Sequence, residues 1–229
     1  MKRIMMAGGA LAAAALLTGC GLTGIGGPTS EDTVTYQVTD KVAELNVKGG
    51  AGDIVISETG GSAVRVVETL RWRGEKPETV HKVDGDLLLM SYNCPAKWDN
   101  CYVNYKIEIP QGLRVDVTSG SGDITLRSLT GPIEVSAGSG DVSGTGLAGK
   151  KIFARTGSGD SELRYTAAPD SVETKSGSGN ATLYVPDGPY DVKTSVRSGD
   201  VRVSVKKDAS SPHKVTMTAG SGDVSVLPG

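Results

Sequence analysis

The sequence predicts an all-β protein, a β-solenoid of the parallel β-helix kind with about six rungs and an antiparallel capping sheet at its N-terminal end. Three observations carry that prediction. A Gly-Ser-Gly-Asp tetrapeptide or a near copy closes at Asp123, Asp141, Asp160, Asn180, Asp200 and Asp223, and an outlying Gly-Ala-Gly-Asp closes at Asp53. The residue eight positions before each of these is apolar: Leu45, Val115, Ile133, Ile152, Val172, Val192 and Val215. A second corner follows in most repeats at Pro132, Pro169, Pro189 or Pro212, where the ring stops a strand because it cannot donate to a ladder.

Apolar residues also recur one and three positions after the tetrapeptide, as Ile124 and Leu126, Val201 and Val203, and Val224 and Val226. Alternation on both sides of a Gly-rich corner is the period of a strand, not of a helix. Two strands and two corners per repeat of about 20 residues make one rung. A long meander of hairpins is the alternative. It needs alternation only, whereas stacked rungs also need the same offset to stay apolar from repeat to repeat. Rungs spaced about 4.8 Å apart would form a stack roughly 25 to 30 Å tall.

From the N-terminus, Lys2 and Arg3 precede an apolar run from Ile4 to Leu17, too short for the roughly 20 residues that span a bilayer but suited to a secretory signal. Residues 1–19 are therefore read as a signal peptide. The run ends Leu17-Thr18-Gly19-Cys20, which looks like a bacterial lipoprotein box, so Cys20 is the expected lipidation site and mature N-terminus. The alternative, an ordinary cleavage site, leaves a reactive thiol in a secreted chain. Residues 20–32 form a Gly-rich tether without periodicity. The expected location is extracytoplasmic, anchored to the cell membrane by N-terminal lipid.

Residues 33–112 are read as an N-terminal β cap that includes the outlying repeat. Within it, 63–71, 86–92 and 102–109 read as longer strands, with polar turns at Gly74–Glu78 and at Asp84 and Gly85. An antiparallel sheet here would cover the edges of the first rung. Cys94 and Cys101 close a short loop in an oxidising compartment, so a disulfide is expected, worth about 2.5 kcal/mol. A free pair or half a metal site would need other ligands nearby. Trp98 lies in that loop, where it packs the cap or stacks on a sugar ring. Residues 113–229 are the repeat solenoid. Its far end, at Leu227, Pro228 and Gly229, is expected to be uncapped and open to strand addition or self-association.

With 24 Lys and Arg against 26 Asp and Glu, the formal net charge is −2, which argues against a nucleic-acid partner. One Phe, two Trp and seven Tyr leave little for a base-stacking platform. No cofactor and no metal are expected. The column of Asp53, Asp123, Asp141, Asp160, Asn180, Asp200 and Asp223 is read as turn capping, each side chain accepting turn amides. Calcium between rungs is the sharper alternative. Asn180 stands against it, because an amide can cap a turn but weakens a carboxylate cage. Gly144, Gly146 and Gly149 satisfy GxGxxG by chance, since no helix-forming stretch follows. His81 and His213 are isolated. A groove-cutting β-helix enzyme would need an outward carboxylate cluster. Glu134, Glu162 and Glu173 fall at offsets −7, +2 and −7 from the corner residue, so no enzymatic site is expected.

A lipoprotein leader followed by SGSGDI and AGSGDV segments resembles the bacterial adhesin-type domain-of-unknown-function family of GSGD-repeat β-helix lipoproteins. The likeness covers Leu113 to Val226 and more weakly Val34 to Ile56. It implies a β-helical domain outside the membrane with an adhesive role. The expected function is thus a non-catalytic cell-surface adhesin or envelope-binding module whose partner is cell-wall glycan. The alternative is an envelope structural or signalling component that binds a protein or itself.

Overall fold

The computed structural model describes residues 29–95 and 101–229, so the signal peptide 1–19, Cys20, most of its tether and Trp98 lie outside the described residues. The tether's last three residues, Ser30, Glu31 and Asp32, instead belong to a strand, where they pair with the strand that holds Leu70. Among the described residues the protein is all β, with no helix. The N-terminal part comprises β1 (Ser30–Val38), β2 (Glu44–Lys48), β3 (Ile54–Glu58), β4 (Val64–Trp72), β5 (Glu78–Asp84), β6 (Leu87–Asn93) and β7 (Tyr102–Ile109). The repeats follow as β8 (Arg114–Ser119) and β9 (Ile124–Arg127), β10 (Ile133–Ala137) and β11 (Val142–Leu147), and β12 (Lys151–Thr156) and β13 (Ser161–Tyr165). Next come β14 (Ser171–Ser178) and β15 (Ala181–Val185), then β16 (Pro189–Ser198) and β17 (Val201–Val203). After the two-residue β18 (Lys206–Lys207), β19 (Lys214–Ser221) and β20 (Val224–Pro228) complete the set.

These strands form two ten-stranded mixed sheets. Sheet A runs β1-β4-β7-β3-β9-β11-β13-β15-β20-β17, and sheet B runs β18-β16-β19-β14-β12-β10-β8-β2-β6-β5. In each repeat the first strand lies in sheet B and the second in sheet A, with the Gly-rich corner between them. Neighbouring repeats pair in parallel and in matched register, as with Val115↔Ile133↔Ile152↔Val172↔Val215. Because side chains alternate across a strand, one register fixes which residues face between the sheets. Those residues, among them Val117, Leu126, Val135, Leu163 and Leu183, are buried and make one continuous core. Each such aliphatic contributes about 1.5–3 kcal/mol by leaving water.

The expected antiparallel insertion divides in two. β1 and β4 pair antiparallel in sheet A, as do β4 and β7, and β5 pairs antiparallel with β6 in sheet B. But β6 and β7 run parallel to β2 and β3, with Leu88 beside Leu45 and Ile107 beside Ile56. They stack as an additional layer that lacks the tetrapeptide. Their inward residues Leu88, Met90, Val103, Tyr105 and Ile107 are buried, and that apolar column suffices for stacking without a Gly corner. β5 falls where a turn and its flank were expected. Its lone inward apolar residue of substance, Val83, gives little periodic signal.

The expectation that the last residues form the open end is overturned. β20 lies between β15 and β17, and β19 between β14 and β16, so the repeat closing at Asp200 is outermost and the later one closing at Asp223 is inside it. Apolarity decides the order. The inner repeat buries Val215, Met217, Ala219, Val224 and Val226, while the outer one leaves Val201 47% exposed and carries Lys193, Arg197 and Arg202 outward.

Candidate functional site

The corner residues form a ladder that crosses layers. The Asp53 N–H donates to Asn104 Oδ1 at 2.9 Å, Asp123 to Asp53 at 3.1 Å, Asp141 to Asp123 at 2.9 Å and Asp160 to Asp141 at 2.8 Å. The Asn180 N–H donates to Asp160 at 2.7 Å, Asp223 to Asn180 at 2.9 Å and Asp200 to Asp223 at 2.8 Å. The side chains thus accept the amide of the adjacent layer, not of their own turn as the sequence suggested. Asn180 serves because the role asks only for an acceptor oxygen, and Asn104 heads the column for the same reason. Sequence reasoning missed Asn104, since no glycine precedes it.

Stacking this close explains the glycines. A Cβ on Gly122 would overlap the Gly52 carbonyl, and one on Gly140 the Gly122 carbonyl. Both lack a positive φ, so close approach of backbones, not left-handed geometry, is what excludes a side chain here. In the β6–β7 layer Cys94, just after β6, and Cys101, just before β7, form a disulfide.

The three outward carboxylates weighed for catalysis are separated and paired. Glu134 and Glu173 flank Phe153 on sheet B, and Glu162 lies on sheet A. Glu134 meets Arg114 at 3.3 Å, Glu162 meets Arg164 at 2.8 Å, and Glu173 meets Lys175 at 2.7 Å. Arg164 also covers the Tyr184 ring at 3.7 Å, and its partner Glu162 raises its pKa.

Between the sheets near β1, Glu68 is 1% exposed. One oxygen accepts the Tyr36 hydroxyl at 2.6 Å. The other oxygen, like the buried Tyr105 hydroxyl on the register partner, has no hydrogen-bond partner among the described residues. Burial, then the Glu68 carboxylate, pushes both tyrosines' pKa values up. The Tyr36 ring stacks on His81 at 4.2 Å.

The clearest recess lies on the outer face of sheet A, across β1, β4 and β7. There Thr35, Val67 and Lys106 share one row, and Gln37, Arg65 and Glu108 the next. A trough of about 600 Å³ is bounded by Gln37, Thr59, Ser62, Arg65 and Glu108. It continues into about 230 Å³ beside Thr35 and Lys106. The larger volume lies within the usual size of small-ligand sites. Although Arg65 and Glu108 are register partners, Arg65, Lys106 and Glu108 enter no ion pair among the described residues. Sequence reasoning missed these three, because outward charges on a strand look alike until neighbouring strands are known.

A layered all-β repeat protein, with two sheets joined by corners that bond from layer to layer, is the class these features define. Residues 33–227 match the family model described as Toastrack DUF4097, and the chain belongs to that family. Among solved structures, a putative cell adhesion protein from Clostridium sporogenes ATCC 15579 is 14% identical over 88% of this chain and 100% of that one, with a TM-score of 0.49. A putative adhesin from Bacteroides fragilis NCTC 9343 is 14% identical over 87% and 98% of the two chains, with a TM-score of 0.42. A putative lipid binding protein from Parabacteroides distasonis ATCC 8503 is 14% identical over 84% and 96%, with a TM-score of 0.43. Comparison with curated proteins gives no match.

Proposed function

We propose that this protein is a non-catalytic envelope-binding lipoprotein, a two-sheet β-solenoid held outside the cell membrane through Cys20, that takes cell-wall glycan in the trough on sheet A. The single observation that supports this most is the set of uncommitted groups in that recess. The Arg65 guanidinium, Lys106 ammonium, Glu108 carboxylate, Gln37 amide and neighbouring hydroxyls offer the donors and acceptors that a hydroxyl-rich, partly anionic polymer needs. The pairing of Glu134, Glu162 and Glu173 with cations supports a binder over a glycan-cutting enzyme. The disulfide between Cys94 and Cys101 fits an oxidising compartment, as the leader requires.

Titration of the full chain carrying Cys20→Ala with purified cell-wall polysaccharide tests this reading. Saturable binding is expected, weakened at least about tenfold when Arg65→Ala and Lys106→Ala are combined. Trp98→Ala reports separately on stacking in the disulfide loop. Absence of binding, with an envelope protein captured in its place, would favour the structural or signalling alternative.

A further inference from the structure

The two edges of sheet A are complementary to each other, and we propose that copies of this chain associate head to tail, β1 of one against β17 of the next. One inward column runs through all ten strands: Val34, Glu68, Tyr105, Ile54, Ile124, Val142, Ser161, Ala181, Val224 and Val201. Val34 and Val201 therefore end the same column. They are 37% and 47% exposed, two of the three exposed large hydrophobic residues among the described residues. The adjacent column likewise ends in Tyr36 and Val203.

Strand direction agrees. β1 is antiparallel to β4 and β4 to β7, while β7 is parallel to the array, so β1 points the same way as β17. A translated copy would extend a parallel sheet without changing its sense.

Hydrogen-bond polarity agrees as well. The Asp200 carbonyl accepts the Val224 N–H and the Ser204 N–H donates to Val226, so by alternation the amides of Val201 and Val203 face the free edge. On β1 the Thr33 N–H faces away from β4 and is held by its neighbour Asp32 at 2.8 Å, so Thr35 and Gln37 also present theirs outward. Within the array, Ile124 N–H donates to the Asp141 carbonyl while Asp141 N–H donates to the Asp123 side chain. The same two bonds would form between copies, from Val201 N–H to the Thr33 carbonyl and from Thr33 N–H to the Asp200 carboxylate. Asp200 is the one member of the ladder whose carboxylate accepts no amide from a further layer among the described residues. Charge is not what carries the fit: Glu31 and Asp32 at the start of β1 already pair with Arg71 and Lys76 of their own copy, so the contact rests on the edge amides and the two apolar columns. The contact is heterologous, so it builds open-ended chains.

This inference does not rest on glycan binding. Its test is sedimentation velocity on the full chain carrying Cys20→Ala, so that no acyl chain drives association, over a concentration series. A progressive ladder of oligomers is expected. Val203→Pro, which removes an edge amide of β17 and trims a side chain at the margin of the core, and Thr35→Pro, which removes an edge amide of β1, should each reduce association at least about tenfold. Unchanged melting curves would show that both variants fold. Mixed, the two variants should form a one-to-one dimer and nothing larger, because each retains the end the other lacks. A monomer at every concentration, association indifferent to both prolines, or no dimer in the mixture would overturn the proposal.

Discussion

Asp141 shows how one residue links two neighbouring layers through hydrogen bonds. Its Oδ1 accepts the Asp160 N–H at 2.8 Å, and its own N–H donates to Asp123 at 2.9 Å. Neighbouring carboxylates along the ladder repel, yet each one inside the outermost Asp200 accepts an amide hydrogen bond that offsets that repulsion. The role is acceptance of a hydrogen bond, so the charge is dispensable. Asp141→Ala should lower the unfolding free energy by about 1–2 kcal/mol, whereas Asp141→Asn should change it by less than about 0.5 kcal/mol. Urea unfolding of the two variants checks this. If the Asn variant were as damaged as the Ala variant, charge would matter for its own sake, as in a cation cage, and calcium titration would follow.

At the scale of the corner and its strands, a glycine such as Gly140 acts through space, and only in the last two layers do Gly199 and Gly222 add a positive backbone angle. The Cβ of Gly140→Ala would enter the Gly122 carbonyl of the layer below, whereas at Gly188 the nearest atom is the Tyr190 ring at 3.8 Å. Gly140→Ala should therefore cost about 1–3 kcal/mol and Gly188→Ala less than about 0.5 kcal/mol, as read from urea midpoints. A tolerated Gly140→Ala would mean that layers can separate at the corner. This geometry also explains what was legible in the sequence. Glycines and the Asp ladder are demanded at the same offset in each repeat, so β8 to β15 and the corner column could be read from spacing alone. The β6–β7 layer left no such mark, because stacking there rests on an apolar column that any buried strand shares. The exchange of the last two layers was equally silent, since it depends on comparing Met217 and Ala219 with Thr194 and Val196 across a boundary, not on any local signal. For the same reason Arg65, Lys106 and Glu108 could not be picked out before β1, β4 and β7 were known to be neighbours.

For the molecule as a whole, the two ends of the stack differ in chemistry. One is an outer repeat with Val201 and Asp200 uncovered, and the other holds a buried carboxylate under an aromatic lid. Burial raises the pKa of Tyr36, Tyr105, Tyr165 and Tyr190, and at Tyr36 the hydrogen bond to Glu68 adds to it. The unfolded chain ionises its tyrosines near about pH 10. Below that value both states keep these phenols protonated and the stability they confer is fully present. Above it the unfolded state loses protons that the folded state retains, so stability falls as pH rises toward the folded values. Melting temperature should accordingly hold through neutral pH and begin to drop above about pH 10, followed by circular dichroism. Tyr36→Phe separates the contributions. At neutral pH it should melt lower by the equivalent of about 1–3 kcal/mol, because Glu68 is left buried with no donor. Its alkaline decline should be shallower, because one of the raised phenols is gone. A melting temperature of the unsubstituted chain that stayed level well above pH 10 would show that these hydroxyls reach solvent and titrate in the folded state, and the buried end of the stack would then be open to water.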